Sequence, residues 1–122
     1  MAYKKTRISN KKAFLAGDET LIQELFHPKN DALQLPYSIA HGTLGSGQSS
    51  LPHILEENKE LYIFLEGEGV LHISDELVEV RAGDLVLVPA GAKQHLVNTG
   101  DQTMAFFCVV SPPWDNQKEV IC

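Results

Sequence analysis

From residue 35 onward the chain breaks into short runs rich in β-branched, aromatic and leucine residues, with turn residues about every ten positions. The runs are Leu35–Leu44, Leu61–Glu66, Val70–Ser74, Leu77–Arg81, Leu85–Val88, His95–Thr99 and Thr103–Val110. Between them stand Gly45-Ser46-Gly47, Gly67-Glu68-Gly69, Ser74-Asp75-Glu76, Ala82-Gly83-Asp84, Pro89-Ala90-Gly91 and Gly100-Asp101-Gln102. Glycine tolerates positive φ, and Asp or Ser bonds its own backbone, so each interruption can turn the chain. No segment after residue 30 sustains helical periodicity. This rhythm predicts an all-β sandwich or barrel. Gly67 and Gly69 around Glu68 read as a hairpin loop. Residues 18–27 are ambiguous: Leu21, Ile22, Leu25 and Phe26 fit a helical stripe, whereas Ile22, Glu24 and Phe26 alternate as in a strand. An edge strand is expected there, because seven downstream strands need partners.

At 122 residues the chain fits one domain. We expect an N-terminal extension over 1–34 carrying the edge strand, a barrel over 35–112 and a tail over 113–122. A net charge of −6 argues against nucleic acid, whose phosphates need a clustered basic patch. The basic residues that do cluster, Lys4-Lys5-Thr6-Arg7 and Lys11-Lys12, read as a solvated end. No apolar run approaches the ~20 residues that span a bilayer, and the N-terminus lacks the apolar core of a signal peptide. Cys108 and Cys122 make no disulfide framework, and Cys108 reads as a buried small hydrophobe. A cytoplasmic protein with no membrane partner is expected.

Two glycine-anchored boxes carry the chemistry. The first is Gly47-x5-His53-x-Leu55-x4-Glu60-x6-Gly67; the second is Gly83-x5-Pro89-x-Gly91, continuing Ala92-Lys93-Gln94-His95-Leu96-Val97-Asn98. Strand side chains two apart share a face. His53 and Leu55 therefore point one way, and Glu60, Tyr62 and Phe64 share a face opposite Leu61, Ile63 and Leu65. Glu60 becomes a buried carboxylate, which must find a cation, hydrogen-bond donors or a proton.

The two boxes resemble the motifs of the cupin family, in which three histidines and one glutamate hold a divalent metal inside a double-stranded β-helix (jelly-roll) barrel. Both glycines of the first box, His53, Glu60, Gly83, Pro89, Gly91 and Asn98 match; the resemblance spans roughly residues 35 to 112. Leu55 replaces the second histidine and cannot be a ligand. Gln94 stands where the third belongs, in register with Asn98; His95 would need a one-residue bulge to turn inward. The boxes read His-x-Leu and Gly-x-x-Gln and the chain continues Pro112-Pro113-Trp114, so it also looks like a subgroup of small stand-alone microbial cupins. The resemblance implies one divalent metal (iron, manganese, nickel or zinc) held by His53 and Glu60 with help from His41 and Gln94. It makes Tyr62 the candidate acid or base and Leu55, Tyr62 and Phe64 the pocket wall. Two functions follow from it: a metal-dependent oxygenase, isomerase or lyase acting on a small polar or anionic molecule, or a non-catalytic, metal-free binder of a small ligand serving as sensor or store. A homodimer formed through the outer sheet and terminal strands is expected. His72 reads as solvent-facing, His27 as a loop residue, and Trp114 as a packing anchor.

Overall fold

The computed structural model describes residues 3–31 and 34–122. Its strands are β1 (Phe14–Leu15), β2 (Leu21–Phe26), β3 (Ser38–Leu44), β4 (His53–Leu55), β5 (Lys59–Glu66), β6 (Glu68–Ile73), β7 (Glu76–Arg81), β8 (Leu85–Val88), β9 (Lys93–Asn98), β10 (Met104–Ser111) and β11 (Glu119–Ile121), with one helix, α1 (Pro28–Asp31), after β2. They form two antiparallel sheets, six strands in the order β1-β2-β3-β10-β5-β8 and five in the order β11-β4-β9-β6-β7. This is the double-stranded β-helix barrel that the boxes implied. The ambiguous 18–27 segment contains strand β2, paired with β3 from Leu21↔Thr43 onward. The segments flanking the barrel join its sheets: β1 and β2 extend the larger sheet, and β11 pairs with β4.

Period-two patterning places the core between the sheets. Phe64, Leu71, Leu96, Met104 and Phe106 are each 2% exposed or less. The inner face of β3 is built from small residues, Ser38, Ala40 and Gly42, and this makes room for the β10 side chains opposite. A Cβ on Gly42 would lie 2.5 Å from the Phe106 ring. The four motif glycines, Gly47, Gly67, Gly83 and Gly91, have φ of 74°, 83°, 95° and 84°. This is the left-handed region that glycine enters without steric strain. Gly67 does not close a hairpin, contrary to expectation: it is the corner at which the chain leaves β5 in one sheet and enters β6 in the other. The hairpin in that region is β6–β7, turning at Ser74 and Asp75.

Asn98, the last residue of the second box, is 1% exposed. Its amide donates to the carbonyls of Leu44 (2.9 Å) and Gln102 (2.8 Å) and accepts from the Gly100 amide at 3.0 Å. Truncation would strand these groups, so Asn98→Ala should lower unfolding free energy by ~3 kcal/mol in chemical denaturation.

On the outer side of the larger sheet, Leu85 and Leu87 of edge strand β8 are 61% and 60% exposed. They lie opposite Ile63 and Leu61 of β5, which in turn face Phe107 and Val109 of β10. We propose that this apolar strip pairs two copies of the chain. Velocity sedimentation should return a dimer for the native chain and a monomer for the Leu85→Lys/Leu87→Lys variant.

Candidate functional site

Five strands aim side chains into one chamber at the end of the barrel. Strand β4 supplies His53 and Leu55, β5 Glu60 and Tyr62, β9 Leu96, and β10 Phe106, Cys108 and Val110, with Ser38 and Ala40 of β3 opposite. The enclosed cavity is small, about 70 Å³, and the space beyond it opens to solvent.

His53 is 2% exposed. Its Nδ1 donates to the Leu51 carbonyl at 3.0 Å and lies 3.6 Å from Asp18 Oδ2, while Nε2 lies 4.0 Å from Glu60 Oε1. The ring is thus flanked by two carboxylates. Burial by itself would strip its proton; the Glu60 carboxylate, the Leu51 carbonyl and the Asp18 charge outweigh that and hold its pKa up at about 9. These contacts favour the protonated ring. Asp18 is fixed in turn, its Oδ1 accepting from the Thr20 amide at 3.1 Å. Glu60 is buried, and its Oε1 has no hydrogen-bond partner.

Tyr62 lies beside this pair, but its hydroxyl donates to Gln94 Oε1 at 2.7 Å. Burial, followed by the Glu60 charge, pushes the phenol well above its ordinary pKa. The role of acid or base suggested for Tyr62 does not suit a proton so firmly held; the side chain acts as a fixed neutral donor. Cys108 also lines the chamber, and burial with the nearby Glu60 charge keeps it a neutral thiol.

The structure brings His53, Glu60, Tyr62 and Leu55 to the chamber and sets Gln94 behind Tyr62. It does not bring His41. That side chain follows the parity of Ile39 and Thr43, opposite to Ser38, Ala40 and Gly42, and stands on the outer face of β3. There its Nδ1 lies 3.2 Å from Gln23 Oε1, and its ring meets Phe107 edge-on at 5.8 Å. Phe64 is not chamber wall either. It lies in the core, stacked on Tyr62 at 5.7 Å and packed against Phe106. Gln94 does face inward, 1% exposed, while His95 faces outward and stacks on His72 across the strand pair at 4.1 Å.

Several chamber residues lie outside the two boxes: Asp18, Glu24, Trp114 and Glu119. His27, read as an unpartnered loop residue, is buried and ties the terminal segment down. Its Nδ1 accepts from the Lys29 amide (3.0 Å), which leaves Nε2–H to donate to the Trp114 carbonyl (2.7 Å).

Among the described residues no group of three or more His, Cys, Asp or Glu side chains is placed to hold a metal ion. His53 and Glu60 are two good donors. Leu55 offers none, His41 is on the wrong face, and the Gln94 carbonyl oxygen already accepts from Tyr62. A transition-metal site needs three or four protein donors, and an amide oxygen is a weak one. The residues present therefore do not complete the expected metal site, although the lone Glu60 Oε1 leaves an acceptor that a hydrogen-bond donor or a cation could serve.

The chain belongs to the cupin family: the cupin domain matches residues 40–110. An uncharacterised protein of Methanocaldococcus jannaschii is 28% identical over 113 residues, covering 93% of this chain and 90% of its own. An oxalate-binding protein of Thermotoga maritima is 34% identical over 67 residues, 55% of either chain. Among solved structures, a predicted oxalate decarboxylase of Thermotoga maritima superposes with a TM-score of 0.79 at 24% identity, covering 89% of this chain and 99% of that one. Pac13 of Streptomyces, a nucleoside dehydratase, superposes with a TM-score of 0.79 at 18% identity, covering 100% and 92%. These structural likenesses establish the shared barrel. No helix among the described residues is long and apolar enough to cross a membrane.

The His53 environment has a pH signature. Its folded pKa of about 9 exceeds the ordinary 6.5, so the folded state holds the proton more tightly than the unfolded chain. The resulting stabilisation is complete below pH 6.5 and disappears as pH rises through 9. Guanidinium melts in the presence of a chelator should show stability falling across this window by on the order of 3 kcal/mol. His53→Gln should remove that slope.

Proposed function

We propose that this cupin is a binding module for a small polar molecule, held at the inner end of the barrel by the Asp18–His53–Glu60 set, with Tyr62 and Cys108 as neutral walls. The observation that carries the reading is Glu60 Oε1, a buried acceptor in the chamber with no protein partner. A buried polar atom of this kind is ordinarily satisfied, and Glu60 is among the residues that line the chamber.

The protonation states favour binding over catalysis. A general base works best with a pKa near the working pH. His53 holds its proton up to about 9, and burial keeps the Tyr62 and Cys108 protons in place. Oxalate, named for the Thermotoga relative, is a dianion. The wall of this chamber contains no Lys or Arg, so an anion would need a bridging cation. The competing reading supplies one: a divalent iron, manganese, nickel or zinc ion at His53 and Glu60, giving Lewis-acid chemistry on a small anion. It rests on the same unpartnered oxygen, and the incomplete donor set weighs against it.

Native mass spectrometry and elemental analysis of untagged protein separate the two readings. We expect metal well below one equivalent and a bound small organic molecule that is lost in His53→Ala and Glu60→Gln while both variants remain folded. One equivalent of a divalent metal, lost in the same variants, would overturn the metal-free reading in favour of the metal centre.

A further inference from the structure

The charges of the chamber wall are unbalanced. Four carboxylates line it, Asp18, Glu24, Glu60 and Glu119, against one imidazole, His53, and no Lys or Arg. Among the described lining residues carboxylates thus outnumber basic side chains four to one. Two of the acids have local partners: Asp18 accepts from the Thr20 amide, and Glu24 from the Asn30 side chain. Glu60 is different. Its side chain is 10% exposed and sits beside the imidazolium, yet Oε1 accepts no hydrogen bond. His53 Nε2, the nearest nitrogen, is 4.0 Å away, beyond hydrogen-bond reach.

The rest of the wall is organic in character. Leu55, Leu96, Val110 and Phe106 form an apolar floor, and the Trp114 side is aromatic as well. An occupant must therefore bring positive charge and N–H donors at one end and apolar surface at the other. A bare anion meets four carboxylates against one imidazole, and a neutral polyol finds few polar partners on the floor.

We propose that the ligand of this chamber is a small organic amine whose ammonium group donates to Glu60 Oε1, with the surrounding acids supplying the field and the apolar floor seating the carbon body. The identification rests on the binding reading given above. An ammonium has three donors and no acceptor, so it can serve Glu60 and still offer a donor toward the mouth, where Glu119 of β11 stands. A charge-assisted bond in a site shielded from water is stronger than a neutral one. The same field lowers the affinity for carboxylates, so selectivity arises from the wall rather than from any single residue.

Methyl-labelled protein titrated in the presence of EDTA provides the test, with n-butylamine and phenethylamine against the matched n-butanol, 2-phenylethanol and butyrate. The amines should shift the Leu55 and Leu96 methyls and bind at least tenfold more tightly than the alcohols, with butyrate silent. Glu60→Gln should weaken the amines by tenfold or more and leave the alcohols unchanged. If that variant unfolds, Glu119→Gln on the peripheral strand and a sodium chloride series should each weaken the amines selectively. Alcohols or butyrate shifting these methyls as strongly as the amines would overturn the amine assignment and leave the binding reading standing. No shift at Leu55 or Leu96 from any probe would overturn both.

Discussion

A carboxylate placed inside a barrel dictates much of what surrounds it. Glu60 lies on β5, between β10 and β8, where neither neighbouring strand offers a donor for Oε1. An isolated charge in such a place is very unfavourable, and the protein must protonate it or supply a counter-charge. It supplies one in the His53 ring, fixed by the Leu51 carbonyl and backed by Asp18. The ring is buried too, so the three side chains lie in one shielded cluster. The site thus draws on β4, β5 and the turn before β2 together.

The fold was legible because its signals are local and redundant. Alternation marked β3 and β5 to β10, and motif glycines stand at four of the six described positions with positive φ, the others being Glu19 and Ser74. The inward faces of His53, Leu55, Glu60 and Gln94 followed from parity alone. The short strands β1 and β11 were invisible because two or three residues carry no period. The corner at Gly67 was misread because glycine-rich turns look the same whether the chain returns to its own sheet or crosses to the other.

The errors in the site have a similar physical origin. His41 is one residue out of phase: Ser38, Ala40 and Gly42 share the inner face of β3, and that small-residue spacing was the available clue, since a chamber and the Phe106 ring need room. Phe64 was placed on the correct face but too deep, below Tyr62 in the stack. Asp18, Glu24, Trp114 and Glu119 could not be assigned from motif spacing, because they come from segments flanking the boxes. Glu24 and Glu119 reach the chamber through the pairing of β2 with β3 and of β11 with β4, and Trp114 through its backbone bonds to Ser38 and His27.

The departures from the family pattern make sense as one change rather than several. In the four-ligand arrangement the central positive charge belongs to an ion, and the protein contributes neutral imidazoles around it. Here an apolar Leu55 takes one ligand position, and Gln94, committed to Tyr62, takes another. A site stripped of two donors in this way would leave Glu60 facing a bare histidine. Asp18 alters that balance: a second carboxylate behind the ring favours its protonated form, and in the proposed binding reading that charge stands in for the ion. The imidazolium is bound covalently to β4 and cannot approach closer than its backbone allows, so Glu60 is neutralised at a distance but not hydrogen-bonded. That residual vacancy, negative and enclosed by apolar walls, is what gives the chamber a preference for a ligand able to carry both charge and donors.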